Sequence, residues 1–425
     1  MEKKVDNRLK CSDDKKLAIY NSIQATKEKR KSQVVKCYEL KITKNKLNSR
    51  QKEELERMFV EGKWFYNHVL NLHRNGLRLS DINTTSIKSV DHYNKDRELV
   101  TDELLVLNSQ EKQGILTRII SNQKTIVKLV RSGKQTHGNL QFKSELNCIP
   151  LKQYGTTYKF KSQNKIKVAG IHGGMKVKGT NQIPSDCDFA NAVLLKKPDG
   201  YYLKVTCYIN KDSLPKTTTN GKEIGLDFGI HTNITTSEGE KLDVSVEESE
   251  RLKKLQTKLE NQKKGSNNRY KTIKKIRREY QKLSNKKKDK ANKIVHMLKQ
   301  YDTIVIQNEQ LSEWHKQKGM SKVVQHSCMG MIKSRLMKMD NVIVLDKYIP
   351  TTKWCPHCHK LNELSLNDRT YRCECRYEQD RDIHAAQNML NIKNLVEKNI
   401  SVPMERRGDS PRRIQRGMFC FAEQP

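Results

Sequence analysis

The apolar positions fall into blocks of different period along the chain. Up to about Gln33 charged residues dominate with little apolar pattern, which predicts a flexible basic arm over 1–33. Val34, Val35, Cys37, Leu40 and Ile42 then alternate closely enough for a strand within 34–47. Asn48, followed three residues later by Gln51, carries the signature of a capped helix start, and Leu55, Met58, Phe59, Phe65 and Leu70 follow at roughly helical spacing. Helical patterning continues intermittently through Ser109–Ile120, so 48–140 reads as a helical block. From 141 to 212 the segments become short, β-like and punctuated by glycine. The clearest piece is a pair of β-rich runs around Pro198-Asp199-Gly200, where proline fixes φ and glycine relieves the turn. A strand, a helical block and a β block read most economically as a small β-barrel interrupted by a helical insertion.

A polar linker, Ser213–Asn220, precedes a second series of elements. Ile224-Gly-Leu-Asp227-Phe-Gly and the run to Ser237 predict two short strands. Arg251–Gln300 predicts a helical pair broken at Gly265–Asn268, with an apolar stripe through Leu252, Leu255, Leu259, Ile273, Ile276, Tyr280 and Leu283. Asp302–Glu309 is a buried strand ending in a carboxylate. A helix is expected from about Ser321 to Met339 and a strand over Asn341–Asp346. These elements make up a block over 221–353. A cysteine-rich segment (354–378), a helix from about Asp382 to Lys398 within 379–400, and a flexible tail (401–425) complete the chain. No internal repeat is present.

Composition sharpens this picture. A chain of 425 residues holds several domains. With 83 Lys and Arg against 48 Asp and Glu, the formal charge is +35. A compact fold with that excess repels itself unless a polyanion lies on it, and nucleic acid is the obvious one. Arg251–Gln300 alone carries roughly twenty basic residues and a few acids, so its wet face is expected to lie on phosphate. The absence of any run of about eighteen apolar residues, or of a signal-like stretch after Met1, points away from membrane insertion. Four of the 11 Cys crowd between Cys355 and Cys375, and the rest are scattered singly. This is one metal site plus ordinary thiols of a reducing cytosol, not a disulfide framework.

Three acids stand where a metal nuclease needs them. Asp227 lies inside an apolar strand between glycines, Glu309 ends a second apolar strand, and Asp382 opens a helix. Taken singly, Asp382 is explained by the helix dipole and Glu309 by a strand end at the surface. Asp227 is the hardest to explain blandly, because a carboxylate among apolar residues needs a partner or a cation. Together the three suit a two-metal phosphodiester site, where one ion activates water and the other stabilises the leaving oxygen. The Cys pairs Cys355-x-x-Cys358 and Cys373-x-Cys375 form two knuckles suited to a structural tetrahedral zinc. The tight C-x-C pair leaves His357 or His359 as an alternative fourth ligand.

At these residues the chain resembles the TnpB proteins of insertion-sequence transposons and the related miniature type V CRISPR nucleases. Gly225-Leu-Asp227-Phe-Gly is similar to that family's first RuvC motif, and Asn308-Glu309 followed by Leu311 is similar to the second. The cysteine segment running into Arg381-Asp382-Ile-His-Ala-Ala-Gln-Asn388 is similar to the third. The resemblance covers about Lys36 to Leu390. It departs at His384, where the family usually has Asn, and at the C-x-C pair, in which Cys373 is the shifted member. It implies a multidomain α+β protein: a wedge β-barrel with a helical recognition lobe inserted, then an RNase H-like RuvC domain carrying a zinc ribbon. It further implies an RNA-guided DNA endonuclease with Asp227, Glu309 and Asp382 as catalytic ligands of Mg²⁺ or Mn²⁺. Cys355, Cys358, Cys373 and Cys375 would hold zinc. The expected partners are a guide RNA and double-stranded target DNA read next to a short flanking motif, with a monomer favoured and a bacterial or archaeal cytoplasmic setting.

Other readings remain at this stage. A miniature CRISPR effector shares every motif. A nuclease-inactive guided repressor is expected to have lost one of the acids, and none is missing. An RNase H-like transposase with Asp, Asp, Glu order does not match Asp, Glu, Asp. A zinc-ribbon RNA-binding protein leaves the settings of Asp227 and Glu309 unexplained.

Overall fold

Alternation and capping account for most of the first half of the chain. The computed structural model describes residues 13–94, 96, 98–135, 138–214, 218–230, 233–314, 320–365, 368–398 and 420–421. The chain divides into two units, Met1–Pro215 and Lys216–Pro425. The first unit begins with α1 (Asp13–Lys31), β1 (Gln33–Ile42) and α2 (Ser49–Arg74), then a hairpin of β2 (Ser89–Tyr93) and β3 (Leu99–Glu103), then α3 (Ser109–Arg131). It continues with β4 (Cys148–Leu151), β5 (Tyr158–Ser162), β6 (Lys165–Val168), β7 (Met175–Lys178), β8 (Asp188–Lys197) and β9 (Gly200–Asn210).

The sheet runs β4-β8-β9-β1-β7-β6-β5, every pairing antiparallel. The barrel expected from sequence is therefore a nearly closed seven-stranded sheet with β4 and β5 as its edges. Pro150 sits in edge strand β4, where a missing N–H is tolerated. Near the seam, the residue pair Tyr154 and Tyr158 forms an isolated bridge, and the Tyr158 hydroxyl donates to the Ala190 carbonyl at 2.8 Å. β8 and β9 meet through Pro198-Asp199, and Asp199 accepts from Lys41 at 2.8 Å and from the Tyr202 hydroxyl at 2.5 Å.

Asn48 and Gln51 form the reciprocal cap that their spacing predicts, and Asn108 with Glu111 repeats it at α3. Glu61 is fully buried, yet it accepts from the backbone N–H groups of Leu105, Val106 and Leu107 at 3.0, 2.9 and 2.8 Å and from Arg57 at 2.7 Å. That carboxylate fastens the approach to α3 onto α2. Leu55, Met58, Phe65 and Val69 of α2 pack with Ile115 and Ile119 of α3, and Ile149, Leu151, Leu194, Leu203 and Val205 from the sheet join the same core.

Two expectations change here. Residues 13–31, expected within a loose arm, are helical; Lys29 and Arg30 pair with Asp188 at 2.7 and 3.3 Å, and Arg30 lies over the Tyr208 ring at 3.5 Å. Residues 1–12 of that arm lie outside the described residues. The block expected to be helical also contains the β2–β3 hairpin. Of its strand residues only Val90 is buried, and polar contacts hold it: Thr101 to Asp91 at 2.5 Å, His92 to Asp102 at 2.7 Å, and His92 stacked on Trp64 at 3.9 Å. A hairpin with so little apolar surface leaves no period-2 signal.

The second unit contains β10 (Glu223–Phe228), β11 (Ile234–Thr236), β12 (Lys241–Leu242), α4 (Glu250–Glu260), α5 (Asn267–Leu298) and β13 (Thr303–Gln307). Then come α6 (Leu311–Trp314), α7 (Met320–Gln325), α8 (Met329–Leu336), β14 (Val342–Leu345), β15 (Thr370–Arg372), β16 (Glu378–Asp380), α9 (Arg381–Glu397) and β17 (Cys420–Phe421). The main sheet runs β12-β11-β10-β13-β14-β17, parallel at β10–β13 and β13–β14 and antiparallel elsewhere. Gly265 (φ +84°) and the Ser266 cap separate α4 from α5.

The helix expected over 321–339 is broken, because the backbone between α7 and α8 bonds instead to Val244 and Val246 (Cys328 N to Val244 O, 2.9 Å; Val246 N to His326 O, 2.5 Å). Most of the tail expected over 401–425 lies outside the described residues; β17 adds a strand beside β14. Among the described residues, no helix is long and apolar enough to cross a membrane.

Candidate active site and metal centre

Asp227 is the fifth residue of β10 and is 9% exposed, with Leu226 and Phe228 buried on either side of it. Glu309 lies two residues beyond the end of β13, the parallel neighbour of β10. The chain turns there: Asn308 N donates to Leu345 O at 2.8 Å and Glu309 N to Gln307 O at 2.9 Å. Asp382 is in the first turn of α9, whose cap Asp380 accepts from the N–H groups of Asp382 and Ile383 at 3.0 and 3.2 Å.

Gly225 lets α9 lie against β10. A methyl group at that position would come within 2.0 Å of the Ala386 carbonyl oxygen, so only glycine admits the helix backbone. Ser237 fixes the same spot, accepting from Gly225 N at 3.1 Å while its own N–H donates to Gly225 O at 2.9 Å.

Asp227 feels the charges of the other two acids, although among the described residues only the cysteine quartet has its ligand atoms gathered closely enough for one ion. Burial, then the charges of Glu309 and Asp382, push the Asp227 pKa well above its usual value, against a weaker opposing effect of Arg381. Burial raises Glu309 to about 7, with Lys333 opposing. Glu309 Oε2 is buried with no hydrogen-bond partner. A buried carboxylate beside acidic neighbours ionises readily only next to a cation. The donor set, all carboxylate oxygen with one oxygen orphaned, fits a hard divalent ion such as Mg²⁺ or Mn²⁺.

The cysteine segment forms a second centre. The sulfurs of Cys355, Cys358, Cys373 and Cys375 all lie within 4.8 Å of one another, with Cys355–Cys375 at 3.6 Å and Cys358–Cys373 at 3.4 Å. Tetrahedral zinc with Zn–S bonds of about 2.3 Å places its sulfurs about 3.8 Å apart, so four thiolates in this arrangement can hold a structural zinc.

Neither histidine joins this cluster: the His357 ring packs on Tyr377 at 4.6 Å and the His359 ring on Trp354 at 5.2 Å. The C-x-C pair is accommodated because both knuckles close the same way. His359 and Arg376, each directly after the second Cys of its pair, adopt φ of +60° and +68°.

Sequence reasoning missed the polar links between the two centres. Gln307, the last residue of β13, donates to the carbonyls of Asp346 and Ile349 at 3.1 and 2.7 Å and accepts from Thr351 at 3.1 Å. Asn388 of α9 donates to the carbonyls of Thr351 and Trp354 at 2.8 and 2.7 Å. His384, stacked on Tyr371 at 3.7 Å and lowered to about 4 by burial, lies 3.0 Å from Asn388. The base of the cysteine segment is thus tied to both the β13 end that leads to Glu309 and the helix that carries Asp382. Asn388 stands in a motif legible from sequence; Gln307 and Thr351 offer no such signal.

In the first unit a cavity of about 640 Å³ is lined by Arg50, Lys159, Lys161, Lys167 and His172 among others. Cationic lining around a cleft of that size suits a phosphate backbone.

Comparison with known proteins bears on these sites. Residues 204–312 match the OrfB_IS605 family, described as "Probable transposase". Residues 332–389, which include the cysteine cluster and the start of α9, match the "Cas12f1-like, TNB domain" family. These two matches support the resemblance to the TnpB-like family. A curated relative of this chain from Streptomyces pristinaespiralis is named "Putative RNA-guided DNA endonuclease". It is 26% identical over 200 residues, 45% of this chain and 49% of the relative, so the chain spans about half the length of the relative it matches. A chain of the "Cryo-EM structure of the Cas12f1-sgRNA-target DNA complex" superposes with a TM-score of 0.48 at 12% identity, covering 85% of this chain and 99% of that one.

Proposed function

We propose that this TnpB-like protein is an RNA-guided DNA endonuclease whose RuvC-type site is built from Asp227, Glu309 and Asp382. The observation that carries the proposal is the burial of Asp227 against the charges of the other two acids, an arrangement that calls for divalent cations. Asp227, Glu309 and Asp382 would hold Mg²⁺ or Mn²⁺, which when bound supply Lewis acidity and an activated water at a phosphodiester. The chain's own groups orient that site: Gly225 lets α9 bring Asp382 up to β10, and Gln307 steadies the end of β13. The zinc ribbon at Cys355, Cys358, Cys373 and Cys375 acts structurally, bracing α9 through Asn388.

The charge of +35 and the basic cavity of the first unit support a guide RNA and target DNA as the polyanions bound. Sequence choice would then rest on base pairing with the guide, and the protein would read a short flanking motif and the heteroduplex backbone. The name of the curated relative agrees with this reading.

The test is to purify the protein from its native locus and sequence the RNA that accompanies it. A single abundant RNA, used as guide, should direct Mg²⁺-dependent cutting of matching DNA. A random mixture of RNA, or none, would remove the guided part of the proposal.

A further inference from the structure

Lys333 lies on α8, which packs into the second unit through Met329, Ile332 and Leu336. Unlike most of the chain's basic residues it is buried, with 5% of its surface exposed. Its ammonium donates to two carbonyls, Gln307 O at 2.8 Å and Glu309 O at 2.7 Å, and lies 5.4 Å from the centre of the Phe228 ring. Those carbonyls bracket the turn in which β13 ends and Glu309 is presented. Phe228 directly follows Asp227. One cation therefore touches the turn that carries Glu309 and the ring beside Asp227.

Burying an ammonium costs several kcal/mol in desolvation, which an apolar side chain of similar length would avoid. Packing alone does not explain a lysine here. Two carbonyls two residues apart, drawn to one group with three donors, define the turn far more tightly than either bond alone.

We infer that Lys333 is a positioning residue: by gripping the carbonyls of Gln307 and Glu309 it sets the turn that presents the Glu309 carboxylate to a divalent cation held with Asp227 and Asp382. This rests on the carboxylate site proposed above. Lys333 itself does not touch the ion or the substrate. It acts through the backbone of its neighbour, so its loss should weaken metal binding and leave guide binding and zinc content unchanged.

The experiment measures Mn²⁺ binding to the RNA-loaded protein by electron paramagnetic resonance, for wild type, K333M, E309Q and the E309Q/K333M pair. A D227N/D382N variant supplies the blank for ions held by RNA. K333M should weaken the carboxylate-dependent Mn²⁺ binding tenfold or more and raise the Mg²⁺ concentration for half-maximal cleavage by a similar factor. In the E309Q background K333M should add nothing, because the lysine acts through Glu309. Wild-type Mn²⁺ affinity in K333M overturns the inference, and so does a full K333M effect in the E309Q background. If K333M does not fold, K333Q, too short to reach both carbonyls, should weaken Mn²⁺ binding at least threefold; unchanged affinity there also overturns it. Wild-type binding no greater than the blank would instead overturn the carboxylate site itself.

Discussion

Replacing Gly225 with alanine places a methyl carbon 2.0 Å from the Ala386 carbonyl oxygen and 3.1 Å from its carbon. The obstacle is helix backbone, which cannot rotate away as a side chain can. An ordinary contact of about 3.4 Å requires α9 and β10 to separate by about 1.4 Å, or β10 to buckle by a similar amount. Overpacking of this kind costs about 1–3 kcal/mol of stability. Asp227 lies two residues along β10 from the clash and Asp382 four residues before it on α9, so the displacement enters the carboxylate site from both sides. A misplacement of about 1 Å in a catalytic constellation costs on the order of 10²-fold in rate. G225A should therefore slow single-turnover cleavage by about a hundredfold, with guide binding and zinc content near wild type. G330A is the control: Gly330 is in α8 of the same unit and a methyl group there meets nothing within 4 Å. It should cut normally and be as stable as wild type or slightly more so. Cleavage by G225A within twofold of wild type would refute the argument that this glycine admits α9 to the site.

Three further outcomes follow from individual groups. Burial raises Glu111 to about 8, so the native state keeps a proton that the unfolded chain releases near pH 4.3. Stability from this group is complete below about pH 4.3 and is lost as pH rises through about 8, by on the order of a few kcal/mol. E111Q keeps the cap acceptor without titrating, so its melting temperature relative to wild type should rise between pH 5 and 8; a constant difference contradicts the assignment. Arg376 is exposed at φ +68°, and R376G should raise the melting temperature of the zinc-loaded protein, by roughly 1 kcal/mol of relieved strain. A lowered melting temperature would show that the arginine side chain contributes more than the backbone strain costs. Cys355→Ser should lower zinc content and melting temperature together, and cleavage with them, because Asn388 links that segment to α9. Zinc stoichiometry equal to wild type would mean that Cys355 is not a ligand.

The legibility of this fold in the sequence varies with how each residue is held. Asp227 and Glu309 stand out because apolar neighbours make a carboxylate anomalous, and the Cys pairs because knuckle spacing is a local property. Asn48 caps α2 by a local bond and was equally legible. Lys333 carries no such mark: it is one of two basic residues in the run Met329–Leu336, in a chain with 83 Lys and Arg, and only the tertiary fold turns it inward. The β2–β3 hairpin is hidden because its strands bury little apolar surface, and the break between α7 and α8 because it depends on backbone pairing with a segment about eighty residues earlier. Glu61 reads as one more exposed acid on a helix until the three N–H groups it receives are seen. The C-x-C pair looks irregular by spacing; its regularity lies in backbone conformation, with His359 and Arg376 taking equivalent left-handed positions.

The most direct test of the central claim is cleavage of a guide-matched DNA duplex by the purified ribonucleoprotein, wild type against D227A, with and without Mg²⁺. The account predicts cutting only by wild type, only with the ion and only on matched DNA, with D227A binding the same target undiminished. Cutting by D227A, or wild-type cutting that persists after divalent ions are chelated, would contradict it.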